Sequence, residues 1–135
     1  MKKIRIGKST LKGSQLAYGC WRIAGTWDGR KVKANDREAG VKAILAAHEA
    51  GYTLFDHADI YCDGVSEGLF GLALKQSKAL KKSAVIAAKC GICIPESNEP
   101  YRYDSSGDYI VQSCEKSLQR LGIDCIDIYQ LHRPD

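Results

Sequence analysis

The sequence predicts an α/β fold built on a parallel sheet, and three observations carry that prediction. Short apolar runs recur along the chain, the stretches between them repeat with helical period, and turn residues punctuate the junctions. Strands buried on both faces read as continuous apolar runs, and amphipathic helices between them impose parallel pairing through right-handed crossovers.

Each element has its own signal. Lys3 to Arg5 alternates as a hairpin strand does before the turn at Lys12, Gly13 and Ser14, and Leu16 to Trp21 is the first buried strand. Asn35 with Glu38 three residues on forms an approximate capping box. Val41, Ile44, Leu45 and His48 share the stripe behind it, and Gly51 ends that helix. Thr53 to Phe55 is the second strand, Ser66 and Glu67 open a second helix through Leu69, Leu72, Ala73 and Gln76, and Ala84 to Ala88 is the third strand. Gly91 to Gly107, with Pro95 and Pro100, is the least regular piece, and its length fits a functional loop and a plain connecting loop equally. Ser105 with Asp108 is another capping box, followed by the stripe Val111, Cys114, Leu118 and Leu121. Gly122 closes that helix, and Cys125 to Leu131 is the fourth strand. The reading is four strands with three helices between them.

With 135 residues, 44% hydrophobic and 27% charged, residues 1–135 have the material for one domain with a core. Twenty basic against sixteen acidic residues give +4, with Lys and Arg spread along the whole chain, so no nucleic-acid partner is expected. No apolar run nears the roughly 18 residues of a membrane span, and Gly7, Lys8, Lys12 and Gly13 stand where a signal peptide needs its apolar stretch. The expected location is the cytoplasm, without membrane contact. Cys20, Cys62, Cys90, Cys93, Cys114 and Cys125, mostly inside apolar segments, read as reduced thiols.

In a parallel α/β protein the site lies beyond the C-terminal ends of the strands, so the residues where each apolar run turns polar are informative. The first strand leaves through Gly19, Cys20, Trp21 and Arg22, and the second through Asp56, His57, Ala58, Asp59, Ile60 and Tyr61. The third leaves through Lys89, and the fourth through His132, Arg133, Pro134 and Asp135. Lys89 follows five apolar residues, so its stem lies in the sheet, where desolvation disfavours its charge unless a carboxylate such as Asp56 pairs with it. A cation held beside a phenol such as Tyr61 favours the tyrosinate and makes the hydroxyl a usable proton donor near neutral pH.

The stretch Thr53, Leu54, Phe55, Asp56, His57, Ala58, Asp59, Ile60, Tyr61 resembles the aldo-keto reductase signature, in which an Asp, then Ala, Asp and a Tyr follow the second barrel strand. Ala88, Lys89, Cys90, Gly91 resembles the family's third-strand lysine segment. Tyr103, Asp104, Ser105, Ser106 resembles the start of its third helix in a bacterial subgroup, and Leu118 through His132, Arg133, Pro134 resembles the segment around its histidine. The resemblance runs from Gly7 to Asp135. It implies an NADPH-dependent oxidoreductase that reduces a small aldehyde or ketone, with Asp56, Tyr61, Lys89 and His132 as its catalytic tetrad. It also places Gly19, Trp21, Arg22 and Asp56 at the nicotinamide end of NADPH. Cys62 departs from the pattern, which has Gly after the tyrosine. A (β/α)₈ TIM barrel takes about 250 residues, so this chain is expected to be its N-terminal half, about four β/α units behind an N-terminal β-hairpin. That half is expected to lack the cofactor's phosphate and adenine contacts, and no G-x-G-x-x-G occurs. Its two open sheet edges imply either a longer reductase or self-association.

Other chemistries stay open on the residues alone. Cys90 and Cys93 form the C-x-x-C of thiol–disulfide oxidoreductases, although Ile94 and Pro95 open no helix behind them. Asp56, His57, Asp59 and His132 are ligand types of a metal hydrolase, but the H-x-H such a site needs on the first strand is absent, and no metal is assigned. A desolvated Lys89 also suits a Schiff-base aldolase. The non-enzymatic alternative is a silent half-barrel serving as an interaction or remnant domain.

Overall fold

A computed structural model describes residues 1–95 and 100–133. In chain order the elements are β1 (Lys3–Arg5), β2 (Lys12–Ser14), β3 (Ala17–Gly19), α1 (Ala34–Glu49), β4 (Leu54–Asp56), α2 (Val65–Gln76) and α3 (Lys78–Ser83). β5 (Val85–Cys90), β6 (Ile92–Cys93), β7 (Arg102–Tyr103), α4 (Gly107–Leu121) and β8 (Ile128–Leu131) follow. β1 and β2 form an antiparallel hairpin. β3, β4, β5 and β8 pair in that order, all parallel, so the α/β reading holds.

Period-two alternation divides the sheet. Ala17, Leu54, Ala87 and Ile128 line a hollow of about 380 Å³ on one face. From the other face Phe55 and Ile86 enter the core with Ile44, Leu69, Phe70 and Leu121 of the helices. The hairpin closes the N-terminal end of the sheet. Ser14 N–H donates to Thr53 Oγ1 at 2.9 Å, and Ser14 Oγ accepts from the N–H groups of Thr53 and Leu54 at 3.0 and 3.1 Å.

Where elements differ from expectation, side chains compete for backbone groups. Asp36, not Glu38, caps α1 by accepting from Lys33 N–H at 2.9 Å, and Glu38 pairs with Lys42 on the surface at 2.7 Å. Ser106, not Ser105, caps α4, its Oγ accepting from Tyr109 N–H at 3.4 Å. β8 begins at Ile128 rather than Cys125 because Asp127 Oδ2 takes the Ile86 N–H at 2.8 Å, where a strand carbonyl would otherwise sit. β3 is only three residues long, and a 3₁₀ turn, Cys20–Arg22, replaces its expected end. Among the described residues four α-helices stand where three were expected, because Ser77 Oγ accepts from Leu80 N–H at 3.1 Å and starts α3. The long loop contains the β6–β7 ribbon. Residues 96–99 of that loop, and Pro134 and Asp135, lie outside the described residues. Leu72 and Val111, expected on buried stripes, are exposed. α4 instead buries Ser113, Ser117 and Leu121.

α4 meets α2 at Gly71, where a Cβ would stand 2.7 Å from Arg120 O and 2.8 Å from Leu121 O. Gly71→Ala is expected to destabilise the fold by about 1–3 kcal/mol, read from urea unfolding. Gly68→Ala, whose Cβ would meet nothing within 4 Å, is expected to leave stability unchanged or raise it.

Candidate active site

The alternation that puts Leu54 and Ala87 on the open face puts Asp56 and Lys89 there too, two residues further along their strands. Lys89 Nζ donates to Asp56 Oδ1 at 2.5 Å and to His57 O at 2.8 Å. Only 13% of the lysine side chain is exposed, so this carboxylate compensates a cation that water scarcely reaches. Tyr61 follows in the turn after β4, with its ring centroid 5.3 Å from Lys89 Nζ. His132 N–H donates to Cys90 O at 2.8 Å, which carries the β5–β8 ladder one residue past β8. The imidazole thereby stands edge-on to Tyr61, with centroids 5.9 Å apart at 80°. Burial, and then the charges of Lys89 and Arg133, lower the His132 pKa against the opposing pull of Asp56. The ring is therefore neutral at neutral pH and serves as a hydrogen-bonding group. The structure brings Asp56, Tyr61, Lys89 and His132 together.

A cavity of about 670 Å³ opens over Tyr61 and His132, walled by Trp21, Trp27, Ile92, Tyr101 and Tyr103. The Trp21 and Trp27 rings meet edge-to-face at 4.3 Å, with the Arg22 guanidinium 5.8 and 5.0 Å from their centroids. Of the residues expected beside Asp56 at the cofactor, Trp21 faces this cavity. Gly19 and Arg22 line a separate groove with Gly25 and Asp36. Gly19 is in register with Asp56, and a Cβ there would meet nothing within 4 Å, so the space beside Asp56 is open.

Two arrangements supporting the site were not visible in the sequence. Asp63 Oδ2 accepts from Gly29 N–H at 2.8 Å, tying the Trp27 loop to the turn after Tyr61. In that turn Cys62 and Asp63 are left-handed, with φ of 52° and 53°, a conformation that costs a non-glycine residue about 1 kcal/mol or more. This conformation accounts for a Gly in the family pattern where this chain has Cys62. Beneath the turn, Glu67 is fully buried and accepts from Arg120 Nε at 2.7 Å, and Arg120 Nη2 donates to Ser117 Oγ at 3.0 Å. Gly64 makes room, since a Cβ there would lie 2.7 Å from the Arg120 side chain. An acidic residue inside the apolar face of α2 was the available signal for the ion pair. The Asp28–Gly29 dipeptide marked the loop but not the partner it meets.

A sequence profile of the aldo/keto reductase family matches residues 15–135. The chain belongs to the aldo/keto reductase family. This aldo/keto reductase chain is 36% identical over 137 residues to a 6-dehydroglucose reductase of Novosphingobium aromaticivorans, covering 97% of the chain and 41% of that protein. It is 36% identical over 142 residues to an NADH-specific methylglyoxal reductase of Escherichia coli, covering 98% and 42%. Among solved structures it superposes on a glycerol dehydrogenase of Gluconobacter oxydans with a TM-score of 0.82 and 34% identity, covering 98% of this chain and 39% of that one. The chain thus spans about two fifths of the length of the relatives it matches, and its fold is part of an aldo/keto reductase barrel.

The remaining titratable residues of this aldo/keto reductase chain fall outside the tetrad. His57 is fully buried against Phe70, with centroids 4.6 Å apart, and burial pushes its pKa down to about 3, so it is a neutral core residue. Cys90 lies in β5 with its thiol pushed up by burial. Among the described residues the next helix begins at Gly107, so no described helix points its N-terminus at the C-x-x-C pair. Among the described residues no group of three or more His, Cys, Asp or Glu is arranged to hold a metal ion, and no helix is long and apolar enough to cross a membrane.

Asp59 Oδ1 is buried without a hydrogen-bond partner among the described residues. Burial, and then the neighbouring Glu67 carboxylate, raise its pKa to about 6 against the opposing Arg120 charge and backbone N–H groups. The folded state holds this proton more tightly than the unfolded chain, whose Asp titrates near about 4, so stability falls as pH rises through that window. Asp59→Asn is expected to be more stable than wild type by about 1–2 kcal/mol near neutral pH, allowing for partial solvent screening, and no more stable near about pH 4. Urea unfolding at the two pH values checks this.

Proposed function

We propose that this chain carries the proton-delivering side of an NADPH-dependent reductase that converts an aldehyde or ketone to an alcohol. The observation that supports this reading is the Lys89–Asp56 pair held beside Tyr61, which lines the cavity together with His132. A reduced nicotinamide supplies the hydride when bound. The hollow that Gly19 and Asp56 line together, open beside Gly19, suits such a ring. Tyr61 delivers its proton to the carbonyl oxygen. The Lys89 ammonium, anchored by Asp56 and the His57 carbonyl, stabilises the phenolate left behind. Neutral His132 orients the carbonyl oxygen, and Trp21 and Trp27 wall the rest of a small substrate. The cytoplasm is the location that goes with this reading, and the edges of β3 and β8 are where the remainder of a longer reductase, or else a second copy of the chain, pairs.

The test joins residues 1–135 to the unmatched remainder of the Gluconobacter oxydans glycerol dehydrogenase and follows benzaldehyde reduction with NADPH and with NADH. Reduction that requires NADPH is the expected result. A folded chimera that binds NADPH and reduces no carbonyl compound overturns the reading. The share of relatives' length that is covered favours a second reading for the 135-residue chain by itself, a silent half-barrel. That chain is expected to show no saturable quenching or enhancement of NADPH fluorescence.

A further inference from the structure

Basic residues that look scattered along the sequence converge in space. Residues 1–27 contain six basic and no acidic residues, and residues 68–95 contain five and none. The fold carries parts of both segments to the closed end of the sheet, opposite Tyr61. There Lys3 and Lys12 of the hairpin and Lys82 of α3 line one cleft of about 620 Å³ with Thr10, His48 and Ser83. The closure is held by the Ser14 and Thr53 hydroxyls, each accepting from the other residue's N–H to fix the hairpin at the start of β4, and by Val85 N–H, which donates to Thr53 O at 2.7 Å.

Among the described residues none of Lys3, Lys12 and Lys82 forms an ion pair. Glu49, next to His48, is the acidic residue nearest in sequence to the lining, and it stands outside the cleft. The favourable position of a cation in the last turn of a helix accounts for Lys82 but for neither hairpin lysine. Three ammonium groups of one sign around a concave surface raise the local concentration of anions, and an ammonium is a strong point-charge partner for phosphate oxygens. Ser83 Oγ donates to Ala79 O at 2.9 Å and meets His48 Nε2 at 2.8 Å, so these two side chains shape the wall, and the Thr10 hydroxyl adds a group able to hydrogen-bond the same oxygens.

We propose that this cleft is a binding site for a polyphosphate chain of the di- or triphosphate class. The site is separate from the reductase site and does not depend on it. A free inorganic chain and the tail of a nucleoside triphosphate offer the same oxygens.

Isothermal titration of the 135-residue chain at about 0.1 M salt, where exposed charges are screened beyond about 10 Å, compares tripolyphosphate with ATP. One-to-one saturable binding of tripolyphosphate is expected. Equal affinity for ATP points to the bare chain as the recognised element, and tighter binding of ATP points to a nucleotide. Either result supports the site.

The double variant Lys3→Glu, Lys82→Glu is expected to weaken binding about tenfold or more, and Lys33→Glu, Arg37→Glu, with the same net charge change at the far end of α1, less than about twofold. All four positions are exposed, so folding is preserved in both variants. Three results would overturn the proposal. They are equal weakening in the two variants, no saturation at this salt, or stronger competition from a short DNA duplex than from tripolyphosphate.

Discussion

Tyr61→Phe in the complete barrel is expected to lower the rate of carbonyl reduction by about 10²–10⁴-fold while cofactor affinity stays unchanged. The substitution deletes one hydroxyl and almost no volume, so the aromatic wall of the cavity and the contact with His132 survive. Because the proton is delivered only in the transition state, kcat and kcat/KM should fall together. Lys89→Met should cost at least as much, since it also leaves the Asp56 carboxylate without its cation. Steady-state kinetics on both variants, with NADPH binding measured separately, checks the assignment. An unchanged rate in the Tyr61 variant would remove Tyr61 as the acid.

The largest loss of stability is expected from Arg120→Met. Glu67 is fully buried, and its Oε1 has no hydrogen-bond partner among the described residues even with Arg120 present. Removing the guanidinium strands a buried carboxylate, which costs about 3–5 kcal/mol, a large share of the roughly 5–15 kcal/mol that holds a domain together. Glu67→Leu combined with Arg120→Met removes both charges and should recover most of the loss, whereas independent effects would add. Urea midpoints of the three proteins give the answer. Because Glu67 opens α2 immediately after the Tyr61 turn, the single variant should also disturb the active site.

The convergence of Asp56, Tyr61, Lys89 and His132 could be anticipated because these residues sit where apolar strands turn polar, and strand ends are written locally. The Ala84–Ala88 run reappears as Val85–Cys90, with Lys89 on the open face. Asp127 delayed β8 because a carboxylate can stand in for a strand carbonyl, and no periodicity reports that substitution. Val111 misled because its apolar spacing matched a stripe, while α4 turned Ser113 and Ser117 toward the core, where Ser117 Oγ accepts from Arg120. The Trp27 loop escaped for a different reason. Its position depends on Gly29 meeting Asp63, 34 residues away, and nothing near either residue announces the other.

The sequential parallel sheet also governs how the chain reaches this state. Ala17 pairs with Leu54, Leu54 with Val85, and Ala87 with Ile128, so every pairing within the parallel sheet waits on closure of a loop of thirty residues or more. Such pairings return nothing until the entropy of closure has been spent, which places the chain among slower folders of high contact order. Until Ile128–Leu131 docks, β5 shows a bare backbone edge six residues long and largely apolar. That transient species is the one most prone to aggregate, and refolding yield should fall as protein concentration rises.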